Sequence, residues 1–206
     1  MASILTLLER KLSDLATITT GLVIKRKQAE PDKKVATSYK MLTLKSFDQN
    51  GFLNSDDLEI FESSEVLDDK YLTQSGDVIV RLSSPNTAIM IDDIHEGLLI
   101  PSLFVVIRLN TDEIMPEYLK IYLNSDHMKK YYAKSSIGSA IQIIKTGMLR
   151  EVAVRFPSLD RQEMIIKIDR LVSKEKILLE QLLEEKSKYH DAIINKMLQG
   201  GFKHDH

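Results

Sequence analysis

The 206-residue sequence predicts an α+β chain: a mixed α/β globule of short strands and helices, followed by one long C-terminal coiled-coil helix. Three observations carry that expectation. Short apolar runs such as Val78-Ile79-Val80 sit between Gly, Pro, Asn and Ser turn signals, as strands do. Pro116 opens a segment with Leu119, Tyr122, Leu123 and Met128 at helical spacing, and proline is tolerated in a first helical turn. Last, a helical pattern runs almost unbroken from Asp160 to Leu198, about 38 residues or roughly 57 Å at ~1.5 Å per residue.

Taken in order, Leu5, Leu8, Leu12 and Leu15 predict an amphipathic helix across Ile4–Leu15. Gly21–Lys34 is polar and basic and reads as an exposed loop. Alternation through Tyr39, Met41 and Leu44 predicts a strand over Val35–Phe47, and Asp48–Gly51 is a turn signal. The acidic stretch Asp56–Asp69 assigns itself to no element clearly. Gly76-Asp77 then introduces a strand at Val78–Val80, Ser83–Asn86 turns, and Ala88–Ile91 is extended again. Leu98–Leu109 predicts one or two buried strands broken at Pro101. Ser135–Ser139 is a small-residue loop around Gly138, and Glu151–Phe156 is a last strand ended by Pro157. No internal repeat is visible.

In the long helix, Asp160 and Glu163 have capping-box spacing, and Gly200-Gly201 supplies the stop. Between them Ile165, Ile168, Val172, Leu179, Leu182, Tyr189 and Ile193 form a seam of the kind that packs lengthwise on another helix. Glu175 and Lys186 interrupt it, and polar seam residues cost stability but specify register and partner. A helix this long exceeds the width of a globule of this size, so it is expected to pair with a helix of another chain. Folding back on its own globule is the plainer alternative.

Composition narrows the chemistry. With 43% hydrophobic residues the chain can bury one core. It contains no cysteine, which removes disulfides and thiolate metal sites. The N-terminus lacks the basic lead of a signal peptide, and no apolar run approaches the ~20 residues of a membrane span, so a soluble cytoplasmic protein is expected. The net charge of −2 hides blocks: Met1–Ser46 holds nine Lys/Arg against four Asp/Glu, and Phe47–Asp77 reverses this with nine acids and one lysine. A basic block can face phosphate while acids elsewhere restore the balance. His95, His127, His190, His204 and His206 lack metal-ligand spacing, Asp92-Asp93 reads as a turn feature, and no Gly-rich phosphate loop occurs. Neither an independent active site, a metal nor a bound cofactor is expected.

Four segments in this order and spacing carry a family resemblance. They are Gly76-Asp77-Val78-Ile79-Val80, Pro116-Glu-Tyr-Leu-Lys-Ile-Tyr-Leu-Asn-Ser125, Gly138-Ser-Ala-Ile-Gln142 and Val154-Arg-Phe-Pro-Ser-Leu-Asp-Arg-Gln162, leading into the helix. The chain resembles the specificity (S) subunits of type I restriction-modification systems. The resemblance implies a target recognition domain over residues 1–157, a helical spacer and dimerisation helix over 158–200, and a frayed tail over 201–206. Family members usually carry two such units, with antiparallel spacers and each domain reading half of a bipartite double-stranded DNA site. They are non-catalytic. They carry methyltransferase (M) subunits, which use S-adenosylmethionine, and through them the restriction (R) subunit.

This chain has one unit, which implies either a half-size form that makes a homodimer through the seam or a truncated relic of a longer gene. The competing reading is a coiled-coil protein-interaction module with no DNA role, its acidic stretch from Asp48 to Asp77 facing another protein.

Phosphate contacts position a protein on DNA and base-edge contacts specify sequence. The phosphate candidates are Lys25, Arg26, Lys27, Lys33 and Lys34. Candidate base readers are Gln142 and Lys145, beside Gly138 and Ser139, whose small size permits close approach, together with Arg81, Ser83 and Asn86 in another loop. Lys129, Lys130 and Lys134 read as the solvated face of the middle helix.

Overall fold

The computed structural model describes residues 7–30, 35–48, 51–135 and 143–199. Strand β1 (Leu8–Lys11) leads into a single helical turn, α1 (Leu12–Leu15). The helix expected across Ile4–Leu15 is thus reduced to one turn, with Ile4 and Leu5 outside the described residues. Pairing explains the change. Residues 8–11 lie antiparallel to the last strand, with Leu8 opposite Phe156 and Glu9 opposite Arg155, to which it is ion-paired. Leu12 and Leu15 enter the core, whereas Leu8 stays 46% exposed.

Strand β2 (Ala16–Thr20) follows, then a loop with a 3-10 turn at Ile24–Arg26. Strand β3 (Thr37–Met41) pairs with β4 (Glu59–Ser63), Tyr39 opposite Phe61. The expected strand to Phe47 stops early because Thr43 and Ser46 close a turn on each other, each backbone N–H donating to the other's hydroxyl at 3.0 and 3.2 Å. The acidic stretch hides β4: buried Phe61 and Ser63 alternate with exposed Glu62.

Strands β5 (Val78–Arg81), β6 (Ala88–Met90) and β7 (Phe104–Leu109) join β2 in an antiparallel four-stranded sheet of order β2-β7-β5-β6. Leu99 forms isolated bridges to Met41 and Leu72, so one strand, not two, occupies Leu98–Leu109. Period-2 alternation sends Val78 and Val80 to one face and Ile79 to the other. Both faces are covered. The first meets Leu12, Leu119 and Phe156, the second Leu42, Phe47 and Phe104.

Helix α2 (Pro116–Asn124) begins at its proline as expected, but Ser125 ends it, and Met128 belongs to α3 (Asp126–Ser135). Helix α4 (Thr146–Arg150), β8 (Ala153–Phe156) and α5 (Leu159–Leu198) complete the chain. The fold is the mixed α and β architecture with a long last helix that the sequence implies. The start of α5 differs in one detail: the Ser158 carbonyl accepts the N–H groups of Arg161 and Gln162, so Ser158 caps and Asp160 lies in the first turn. There its charge still favours the helix dipole.

The chain divides into two compact units between Ile166 and Lys167. The first turns of α5 belong to the first unit. Wholly buried Gln162 accepts from the Met115 N–H (2.8 Å) and donates to the carbonyls of Glu113 (2.8 Å) and Pro157 (2.9 Å).

Candidate nucleic-acid interface

The registers Thr20↔Val105, Arg81↔Phe104 and Val80↔Ala88 put the end of β2, the start of β7, the end of β5 and the start of β6 at one end of the sheet. Three of the sequence-predicted segments leave from that end.

The first leaves β2 at Gly21, where a Cβ would lie 2.2 Å from the Pro101 carbonyl oxygen, so only glycine lets the chain pass. The loop then carries Lys25 and Arg26 in its 3-10 turn, both exposed. Among the described residues neither has an ion-pair partner. Lys27 differs: it is half-buried and held by Glu65 at 2.6 Å. Lys33 and Lys34 lie outside the described residues.

The second segment is the turn after β5. Arg81 donates through Nε to Ser83 Oγ (3.0 Å) and reaches the Leu44 carbonyl at 3.4 Å. Asn86, expected to face outward, is 7% exposed with φ 57° and gives its amide to the carbonyls of Leu82 (2.7 Å) and Arg81 (3.4 Å). It closes the turn, because asparagine tolerates the left-handed region and can bond its own backbone.

The third is the chain entering α4. Ile143 bridges to Ser83, and the Ile144 N–H donates to the Leu82 carbonyl at 2.9 Å. Lys145 follows, exposed, at the N-cap of α4. The Thr146 and Thr20 hydroxyls share a 2.8 Å hydrogen bond, and Arg150 donates to the Ile18 carbonyl at 3.1 Å. These ties hold α4 to β2. Gly138, Ser139 and Gln142 lie outside the described residues; the chain resumes at Ile143, against the β5–β6 turn. Thr20, Thr146 and Arg150 escaped the sequence reading, since nothing local shows that positions so far apart meet.

The opposite end of the sheet has another chemistry. Asp77, wholly buried, accepts from Arg108 Nε (2.7 Å) and Nη2 (2.8 Å) and from the Gln74 N–H (2.9 Å). That hydrogen-bonded carboxylate raises the Arg108 pKa above its ordinary value. Gly76, at φ +82°, supplies the turn before it. The Gly-Asp pair therefore anchors β5 to β7. A cleft of about 430 Å³ lies beside it, lined by Arg108, Asn110, Pro116 and Leu159 among others.

Elsewhere Asp92 pairs with His95 at 2.5 Å, Asp93 accepts from Ser75, and Lys129, Lys130 and Lys134 are exposed. Among the described residues no cluster of three His, Cys, Asp or Glu could hold a metal, and no helix is long and apolar enough to cross a membrane. In α5, Ile165, Ile168, Val172, Leu179, Leu182, Tyr189 and Ile193 are all exposed, and from Lys167 through Gln199 no residue is buried.

Known proteins share this fold. The sequence profile of the family described as type I restriction modification DNA specificity domain matches residues 7–186. The HsdS subunit from Thermoanaerobacter tengcongensis is 17% identical, with a TM-score of 0.67 over 97% of this chain and 50% of that one. A structure described as the basis of complex assembly and conformational transition of the type I R-M system is also 17% identical, with a TM-score of 0.70 over 97% and 50%. The type I S subunit from M. genitalium is 14% identical, with a TM-score of 0.57 over 95% and 46%. At these identities the likeness shows the fold, and the chain spans about half the length of those subunits. No protein of curated function matches in sequence. The profile match covers most of the chain, and the protein belongs to the type I restriction-modification DNA specificity family.

Proposed function

We propose that this chain is a non-catalytic, sequence-specific DNA-recognition subunit that brings methyltransferase subunits, and through them a restriction subunit, to a bipartite site. In this reading residues 1–157 are the target recognition domain and 158–200 the spacer through which two copies pair antiparallel. S-adenosylmethionine belongs to the methyltransferase partner, and this chain holds no cofactor. The assembly works in the cytoplasm, where its DNA is.

The observation that supports this most directly is the convergence of Lys25–Arg26, Arg81–Ser83 and Lys145 at one end of the four-stranded sheet. Lys25 and Arg26, without an ion-pair partner among the described residues, supply cations for phosphates, and Lys33 and Lys34 follow in the sequence. Arg81, Ser83 and Lys145 flank the approach to the bases. Gln142, one residue before the Ile143 bridge, supplies a bidentate amide suited to adenine, with Gly138 and Ser139 leaving room for the backbone. Lys27, neutralised by Glu65, and Asn86, spent on its own turn, contribute least.

The test is DNA binding by the chain assembled with methyltransferase subunits, on a site selected from a random library. Removing Lys25, Arg26 and Lys145 together is expected to weaken binding to all sequences, whereas removing Lys129 and Lys130 is not. Gln142→Ala is expected to relax discrimination. Equal loss on selected and random DNA would end the base-reading assignment for Gln142, and undiminished binding by the triple variant would end the assignment of the interface.

A further inference from the structure

Glu175 and Lys186 are the two breaks in the apolar seam of α5, and both are exposed. Several charges flanking the seam are paired within the helix: Lys176 lies 3.9 Å from Glu180, and Lys188 lies 2.8 Å from Glu184 and 3.0 Å from Glu185. Among the described residues neither Glu175 nor Lys186 has an ion-pair partner. Two opposite charges left unpaired on an association face point to a partner surface that carries their complements. A second copy of this helix carries both.

We infer that two copies of α5 pair antiparallel in one register, with the two-fold axis between Glu180 and Gln181 and Glu175 of each copy meeting the partner's Lys186. This rests on the dimer read above and specifies its geometry. In a seven-residue repeat Ile165, Val172, Leu179, Lys186 and Ile193 occupy one seam position. Ile168, Glu175, Leu182 and Tyr189 occupy the other. Antiparallel helices layer one seam position against the other. With the axis so placed, Leu179 meets the partner's Leu182, Val172 the partner's Tyr189 and Ile168 the partner's Ile193. Every apolar layer between Ile168 and Ile193 is apolar on both sides, and the two polar positions meet only each other.

The alternatives all leave charge against the wrong neighbour. Sliding the partner one heptad sets Glu175 against Leu179 and Lys186 against Ile168. Sliding it the other way sets Glu175 against Ile193 and Lys186 against Leu182. A parallel pair in register sets Glu175 beside Glu175 and Lys186 beside Lys186. A charge held against leucine in a dry seam is uncompensated, and like charges repel. The complementary pair, present twice by symmetry, therefore selects both orientation and register, the best-attested use of polar groups in such seams.

Because the chain has no cysteine, register can be read by crosslinking. Ile168 and Ile193 are exposed, so replacing them leaves the globular core intact. On oxidation the full-length I168C/I193C variant is expected to run as a covalent dimer in denaturing non-reducing gels, whereas V172C/L182C, the pair for a one-heptad slip that leaves both charges in place, is not. In sedimentation equilibrium E175K or K186E alone is expected to weaken the dimer on the order of 100-fold or more, and E175K/K186E together to restore it. A covalent dimer from I168C alone means a parallel pair, and preferential crosslinking of V172C/L182C means a slipped one. Either result, or failure of the double reversal to rescue, overturns this register while leaving dimerisation standing. A wild-type chain that stays monomeric at every concentration overturns the dimer itself and the register with it.

Discussion

Val78, Ile79 and Val80 in β5 are wholly buried, whereas Leu178, Leu179, Leu182 and Leu183 in α5 are 51–71% exposed. Both sets of side chains are apolar. The difference lies in what each element finds within its own chain. A strand inside a four-stranded sheet has neighbours on both edges and layers on both faces. Beyond Ile166 none of the described residues of the helix is buried. Apolar residues thus encode internal closure in one unit and association in the other, since contiguous exposed apolar surface marks an interaction site.

Variants can break this contrast at either side. The largest effect is expected from Arg108→Ala, which leaves Asp77 buried without its cation. It should cost about 3–5 kcal/mol in a denaturant titration while leaving helix association unchanged at concentrations where the globule is folded. If the unfolding midpoint does not move, the buried pair contributes nothing to closure of the first unit.

Leu182→Ala should do the reverse. Its effect on the first unit is expected to be nil, but two leucines are lost per dimer. At about 1.5 kcal/mol each, affinity falls roughly 10²-fold. Sedimentation would read the change, and an unaltered association constant would show that this face is not the one buried. A smaller effect is expected where the two behaviours meet. Gln162→Ala strands the Met115 N–H and two carbonyls at the first turn of α5, costing about 1–3 kcal/mol. Hydrogen exchange should show faster opening of residues 159–166 than of β5.

The smallest expected effect is on DNA. Lys25→Ala should lower the slope of log affinity against log salt by about one unit, alike for every sequence. Lys27→Ala, whose cation Glu65 already compensates, should lower it less. An equal change in both would mean that the Glu65 pair opens on DNA.

Much of the fold was legible from local patterns. The β5 run, the Ser83–Asn86 turn, β8 before Pro157, the proline start of α2 and the whole of α5 follow from period and punctuation within a few residues. Three features were not. Ile4–Leu15 carries leucines at helical spacing, but β8 pairs with residues 8–11, and the cross-strand Glu9–Arg155 pair accompanies that choice. β4 is masked by its acids because its buried face depends on β3. The break at Ser125 divides what reads as one apolar stripe, and the Asn124 side chain there bonds both the N–H and the carbonyl of Ala88 at 2.8 Å.

The candidate site divides in the same way. Residue types and loop positions identified Lys25, Arg26, Arg81, Ser83 and Lys145 as chemically able to touch DNA. They could not show that Asn86 turns inward or that Lys27 meets Glu65, since both depend on neighbours brought close by folding.

By itself, then, the sequence determined the long helix, its apolar seam and the two opposite charges within it, because a repeat of a few residues is a local property that survives without a fold. Only the tertiary structure decided that β2, β5 and the approach to α4 end together, and that Asp77 and Arg108 close the far side. Antiparallel register couples positions distant along the chain, and no local pattern records which strand will lie beside which.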